Sequence, residues 1–226
     1  MANNLDLEEQ EQLDQLKHFW KQYGNLITWA LILVLGAFAG WNLYQRWQQS
    51  QASQAAALYD EVERVAKAGD VAKLDRAMSD MKDKFPGTTY AQQAALLSAK
   101  VYFEGGKIEQ AKASLNWVAE KSPDEGYRAI ARLRLAAVLM ESKTYEDALK
   151  QLNGTFPVEF AALVADRKGD IFSLQGKRSE ARAEYEKAFK TFGERADYRR
   201  LVEVKLNALG VNPREDGTVA ATEGKK

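Results

Sequence analysis

The chain has 226 residues, with 32 Lys and Arg against 32 Asp and Glu, and it contains one His and no Cys. The absence of Cys excludes disulfide scaffolds, thiol nucleophiles and Cys-ligated metals, and a single His excludes metal sites that need several imidazoles. Zero net charge argues against bulk electrostatic binding of nucleic acid, so the composition predicts a protein that is not an enzyme and holds no cofactor or metal.

Residues 1–22 form an acidic leader that precedes a long apolar segment. Between Gln22 and Gln45 no residue is charged. A helix rises about 1.5 Å per residue, so about 20 apolar residues cross a hydrocarbon core, and Trp and Tyr favour the headgroup layers at its two ends. The sequence therefore predicts one transmembrane helix over residues 23–47. The aromatic residues at its ends are Trp20, Tyr23, Trp41, Tyr44 and Trp47.

A cleaved signal peptide is the alternative interpretation of this segment. Such a peptide has a basic leader, an apolar core of about 7–15 residues and a small-residue cleavage site. The apolar run here is longer, and the leader is acidic, so we expect a retained membrane anchor. The leader carboxylates are Asp6, Glu8, Glu9, Glu11 and Asp14.

The Lys and Arg residues beside the predicted span indicate its orientation. Lys17 and Lys21 precede the span, whereas Arg46 alone lies at its C-terminal end and the next basic residue is Arg64. Because cytoplasmic flanks carry the excess of Lys and Arg, this bias predicts a cytoplasmic N-terminus and a translocated C-terminal domain.

Two glycines one helical turn apart lie inside the predicted span, at Gly36 and Gly40. Small residues at this spacing let two transmembrane helices approach closely. Glycine is also generally frequent in transmembrane helices, which is the alternative explanation. Gly36 and Gly40 are therefore a candidate surface for transmembrane helix packing.

After Trp47 the sequence predicts a series of short helices. Apolar residues recur at steps of three and four, as in the stripe from Val71 to Phe85, for which Asp70 is the expected N-cap. Residues that tolerate turns separate helices of roughly 12–16 residues. These breaks are Gly69, Pro86-Gly87, Gly105-Gly106, Pro123, Asn153-Gly154, Gly176 and Gly193.

The predicted helices repeat at a regular interval. Spacings of 37 and 33 residues separate Ala111, Ala148 and Ala181, which are the small residues of three second helices. Tetratricopeptide repeats have a period of about 34 residues and place small residues where two helices of a hairpin touch. The predicted fold is all-α, with a tetratricopeptide-like α-solenoid over residues 48–210, a capping helix from Ala196 to Leu209, and a disordered tail over residues 211–226. The facing small residues of the first helices are Ala99, Ala136 and Gly169.

Motifs for catalysis or metal binding are weak. Gly105-Gly106-Lys107 lacks the strand that precedes a phosphate-binding loop. Asp166 and Asp170 lie one helical turn apart, as two metal ligands would, but no third ligand is near them in sequence. For this pair we expect a solvated helix face.

A solenoid presents a concave groove, and the repeat register places one set of first-helix residues toward it. Among them, Phe103 and Met140 suit adaptable apolar contact with a bound segment. The alternative interpretation is that several of these residues pack between adjacent repeats. The predicted partner-binding groove comprises Leu96, Lys100, Phe103, Ile130, Leu133, Ala137 and Met140.

Nearly the whole chain resembles the YfgM family of Gram-negative bacteria. The resemblance rests on the acidic leader, on the span that ends at Gly40-Trp41, and on the repeat segments 129–152 and 160–188. It implies a single-pass inner-membrane protein with a cytoplasmic N-terminus and a periplasmic tetratricopeptide-like domain. It further implies an ancillary subunit of the SecYEG translocon, associated with a periplasmic chaperone of the PpiD type and close to secreted or membrane polypeptides.

Three functional hypotheses remain open at this point. The first is a membrane-tethered scaffold at the SecYEG translocon, which binds proteins through its repeats. The second is a scaffold for another envelope process, such as division or outer-membrane assembly. The third is a regulator that acts through the acidic cytoplasmic leader, for which deletion of residues 1–16 would abolish function.

Overall fold

The computed structural model describes residues 7–193 and 196–213. In these residues every regular element is a helix, and the chain divides into two compact units, Met1–Ser53 and Gln54–Lys226. The helices are α1 (Leu7–Ala68), α2 (Val71–Lys84), α3 (Thr89–Glu104), α4 (Ile108–Lys121), α5 (Glu125–Glu141), α6 (Tyr145–Leu152), α7 (Ala161–Leu174), α8 (Arg178–Thr191) and α9 (Asp197–Ala208), with a short 3-10 helix at Val158–Phe160.

The first unit is the N-terminal part of α1, and its large apolar side chains are exposed, as at Leu33 and Phe38. Within the described residues, Glu11–Ala68 is long and apolar enough to span a membrane. Its most apolar window has a mean hydropathy of 1.9, and none of that window is buried. The predicted span lies inside this helix. Of the predicted leader, residues 1–6, with Asp6, lie outside the described residues.

The second unit is a stack of helical hairpins. From α2 onward each helix packs against the next, and α5 also contacts both α3 and α7. The hairpins α3/α4, α5/α6 and α7/α8 follow one another, and α9 covers α8. This arrangement confirms the predicted all-α, tetratricopeptide-like fold.

Small residues lie where the helices of a hairpin cross. Ala111, Ala148 and Ala181 are fully buried in the second helices, as are Ala99 and Ala136 in the first. Small side chains let two helix axes approach closely, so the ridges of one helix fit the grooves of the other. The predicted register of the repeats therefore holds at the helix crossings.

Five helix ends share one turn geometry with a residue in the left-handed region. These residues are Gly69, Gly106, Lys143, Gly176 and Gly210, with φ of 68, 72, 57, 74 and 81°. At each turn their N–H donates to the carbonyl three residues earlier, and the next N–H donates to the carbonyl five residues earlier. This pattern satisfies carbonyls that a helix end leaves free.

Local signals in the sequence account for other helix ends. The Asp70 side chain accepts a hydrogen bond from the N–H of Lys73 at 3.1 Å, as expected for an N-cap. The predicted break at Asn153-Gly154 is also present, and it ends α6 after 8 residues.

The Asp166 and Asp170 carboxylates do not lie on a solvated face, which corrects the prediction. Lys205 of α9 places its Nζ 2.7 Å from a carboxylate oxygen of each. The Tyr198 hydroxyl donates to Asp166 at 3.0 Å, and the Tyr185 hydroxyl donates to Asp170 at 2.8 Å. Because Lys205 lies 39 residues after Asp166 in the chain, the spacing of the two acids gave no sign of this contact.

The C-terminal boundary also differs from the prediction. Val211 was expected to begin a disordered tail, but it is buried and its N–H donates to the carbonyl of Leu206. It belongs to the same apolar cluster as Val202 and Leu206, which holds α9 in place. Residues 214–226 of the predicted tail lie outside the described residues.

Candidate binding groove

A groove of about 590 Å³ opens on the helices α3, α5 and α7, which are the first helices of the three hairpins. Its floor is apolar and buried, as at Leu96 and Leu115, while Phe103 at 38% and Leu174 at 58% are exposed at its surface. An open groove with exposed apolar side chains offers contact area to a partner. The lining residues are Leu96, Ala99, Lys100, Phe103, Leu115, Arg134, Ala137, Val138, Met140, Glu141, Lys143, Tyr145, Arg167 and Leu174.

Most of the predicted groove residues are brought together here. Leu96, Lys100, Phe103, Ala137 and Met140 all line the groove. These five residues lie on α3 and on the C-terminal half of α5.

Ile130 and Leu133, the other two predicted positions, are not among the residues that line this groove. Both are half-buried and pack against the main apolar core of the unit. They lie in the N-terminal half of α5, whereas the α5 residues at the groove begin at Arg134. For these two residues the alternative interpretation, packing within the stack, describes the structure.

Sequence reasoning named Lys100 but missed the other charged residues of the groove. Four cations, Lys100, Arg134, Lys143 and Arg167, line it together with one carboxylate, Glu141. The prediction followed apolar side chains at helical spacing and therefore passed over Arg134 and Arg167. The repeat spacing could have identified Lys143. It lies 37 residues after Gly106 and 33 before Gly176, at the position where the repeat predicts a third glycine.

The four cations differ in how they are paired. Lys100 lies 3.7 Å from Glu104, and Arg167 lies 3.5 Å from Asp170, which Lys205 already neutralises. For Arg134 and Lys143, no carboxylate of the described residues lies within 4.0 Å. The groove lining thus combines buried apolar side chains with four cations. Such a surface suits an apolar segment that carries carboxylates.

Metal binding finds no support in the part of the chain that the structure describes, where no three His, Asp or Glu side chains come together as ligands. The groove itself presents apolar and cationic side chains, with Glu141 as its carboxylate and Tyr145 as its hydroxyl.

The glycine pair of the first unit lies on the exposed surface of α1. A Cβ added at Gly36 or at Gly40 would meet nothing within 4 Å. Packing within the chain therefore requires glycine at neither position. This surface is available to another transmembrane helix.

Comparison with known proteins places these features in a family. A family model described as a tetratricopeptide repeat-like domain matches residues 17–211. The ancillary SecYEG translocon subunit of Neisseria gonorrhoeae is 32% identical over 204 residues, which cover 90% of this chain and 98% of that protein. The protein of the same name from Haemophilus influenzae is 32% identical over 209 residues, covering 90% and 98%. That from Escherichia coli is 27% identical over 206 residues, covering 90% and 97%.

Proposed function

This chain belongs to the tetratricopeptide repeat-like family of the ancillary SecYEG translocon subunits, and on that premise we propose that it is itself an ancillary subunit of the SecYEG translocon. In this proposal it is a non-enzymatic scaffold of the inner membrane. The observation that carries it is the extent of the similarity, which covers 90% of this chain and 98% of its relative, anchor and repeats together.

The proposed orientation has a cytoplasmic N-terminus and a periplasmic repeat domain. It is supported by the Lys and Arg bias around the span. Because the chain has no Cys, a single introduced cysteine is a unique label site. We expect an impermeant maleimide to label Lys190→Cys in intact cells whose outer membrane is opened, and Gln15→Cys only after the inner membrane is permeabilised. The reverse labelling pattern would contradict this orientation.

The proposed activity is protein binding through the groove on α3, α5 and α7. The occupants we propose are periplasmic chaperones of the PpiD type, which the scaffold would link to the translocon, and secreted or membrane polypeptides. The exposed Phe103 and the adaptable Met140 support this role. Anchoring in the translocon's own membrane raises the effective concentration of the groove without new contacts.

Site-specific photocrosslinking in membranes tests this function. A photoreactive amino acid at Phe103 or Met140 is expected to form adducts with translocon subunits, a periplasmic chaperone or chains in transit. The matched control is Ser179, which is exposed on α8 outside the groove. Equal adducts from Ser179, or none from the groove, would contradict the proposal.

The same experiment separates the other hypotheses. Adducts with division or outer-membrane assembly proteins instead of translocon subunits would assign the scaffold to that process. Deletion of residues 1–16 is expected to leave crosslinking from Phe103 unchanged. Loss of function with that deletion, while the groove still crosslinks, would favour a regulator that acts through its leader.

A further inference from the structure

Lys143 holds an unusual backbone conformation. Among the described residues it is the one residue other than glycine with a positive φ, at 57°. A side chain in this left-handed region crowds the backbone, which makes the conformation unfavourable for an L-residue relative to the ordinary regions. A strained residue kept in a structure points to a role for its side chain.

The neighbouring repeats show what this turn ordinarily takes. Gly106 ends α3 and Gly176 ends α7, each with the same pair of backbone hydrogen bonds that Lys143 makes at the end of α5. A Cβ at Gly106 or at Gly176 would meet nothing within 4 Å, so backbone conformation alone favours glycine there. The lysine of the middle turn is therefore not explained by packing.

Lys143 lines the groove, as Arg134 does. As described above, no carboxylate within the described residues pairs with either of them. Glu141 is the single carboxylate of the lining. The strained turn thus adds a cation to an apolar groove that already has an excess of positive charge.

We propose that this groove binds an acidic polypeptide segment, whose apolar side chains contact the floor and whose carboxylates pair with Lys143 and Arg134. The proposal rests on the proposed binding function and specifies the chemistry of its partner. Phe103, Met140 and Leu174 receive the apolar side chains, and the two cations select for Asp and Glu between them. A basic segment with the same apolar residues binds more weakly because of like-charge repulsion.

Two peptide probes test this selectivity on the full-length protein in mild detergent. Both carry the same Leu and Phe residues and a fluorescent label, and they differ only in having Asp and Glu or Lys between them. We expect the acidic peptide to bind more tightly by at least about tenfold. Arg134→Gln and Lys143→Gln should each weaken its binding by about two- to fivefold, as for exposed charge pairs. Equal affinity for the two peptides, or binding of neither, overturns the proposal.

Three variants at Lys143 separate charge from backbone conformation. Lys143→Gly should weaken binding as much as Lys143→Gln while raising Tm by about 2–4 °C, because it relieves the left-handed strain. Lys143→Arg should keep the affinity. Lys190→Gln, on the exposed end of α8, is the matched control and should change neither quantity. Lys143→Gly with unchanged affinity would overturn the role of this residue.

The photocrosslinking described above keeps the two proposals distinguishable. If Phe103 still forms adducts in membranes but acidic and basic peptides bind equally, the charge selectivity fails and the binding function stands. If no adducts form from the groove, the binding function itself fails.

Discussion

Lys205 Nζ lies 2.7 Å from Asp166 Oδ1, and this ion pair joins α9 to α7 across 39 residues of sequence. The Asp166 side chain is only 1% exposed, and the Lys205 side chain is 21% exposed. A buried carboxylate is costly to leave without its cation. The pair therefore fixes the last helix of the stack to the hairpin that it covers.

Removal of the cation is expected to destabilise this end of the stack strongly. Lys205→Met leaves Asp166 buried with the Tyr198 hydroxyl as its remaining donor, and should lower the free energy of unfolding by about 3 kcal/mol. Urea denaturation followed by circular dichroism measures the loss. Lys67→Met removes an exposed pair with Glu63 and should cost less than about 1 kcal/mol. Equal losses of unfolding free energy in the two variants would show that the buried Lys205–Asp166 pair contributes no more to stability than the exposed pair.

Alkaline pH should weaken the same region through Tyr198. Burial raises the pKa of Tyr198 from its ordinary value of 10.0 to about 12, and the Asp166 carboxylate adds to the rise. The folded chain then keeps a proton that the unfolded chain releases, so this stabilisation is complete below about pH 10 and is lost as the pH rises toward 12. Denaturation at several pH values should show a steeper loss over that range for the wild type than for Tyr198→Phe. Parallel curves would exclude the contribution of Tyr198.

Gly169 is required by a close contact with Tyr185. A Cβ at Gly169 would lie 2.5 Å from two carbons of the Tyr185 ring, whose hydroxyl is held by Asp170. Gly169→Ala should therefore force α7 and α8 apart and destabilise the fold by about 1–3 kcal/mol. The control is Gly87→Ala, where a Cβ would meet nothing and the change should stay within about 0.5 kcal/mol. Thermal unfolding of both variants gives the comparison, and equal Tm values would contradict the expected clash.

The glycine pair of the anchor can be tested without disturbing the chain itself. Because a Cβ at Gly36 or Gly40 meets nothing, Gly40→Ile alters only contacts with other transmembrane helices. We expect it to lower the association of the anchor with such a helix, measured by energy transfer in lipid vesicles. Phe38→Ile, on the opposite face of α1, should leave association unchanged. If both variants associate as the wild type does, the pair has no packing role.

Local signals made much of the fold predictable. Gly69, Gly106 and Gly176 each end a helix in the left-handed region, and Asp70 caps α2, because these features depend on residues adjacent in the chain. The small residues at the helix crossings were predictable for a related reason. The repeat imposes the same local crossing several times, so one register serves all hairpins.

The sequence predictions fail where elements that are far apart in the chain contact one another. Asp166 and Asp170 have the spacing of an exposed polar face, and only the later arrival of Lys205 makes them an interior cluster. At the groove, the apolar periodicity predicted Phe103 and Met140 but not Arg134, because a cation on a helix usually indicates a solvent-exposed position. Local periodicity therefore predicts neither contacts between elements that are distant in sequence nor charged residues that line a groove.

The groove draws its walls from three successive hairpins, and this has a thermodynamic consequence. In a linear array each hairpin is stabilised chiefly by its nearest neighbours, so the hairpins can open separately. A segment that contacts α3, α5 and α7 at once binds only while all three hairpins are folded. Binding therefore makes the three hairpins unfold as one cooperative unit. Occupancy is expected to appear as slowed amide exchange across the whole stack, including helices that the bound segment never touches.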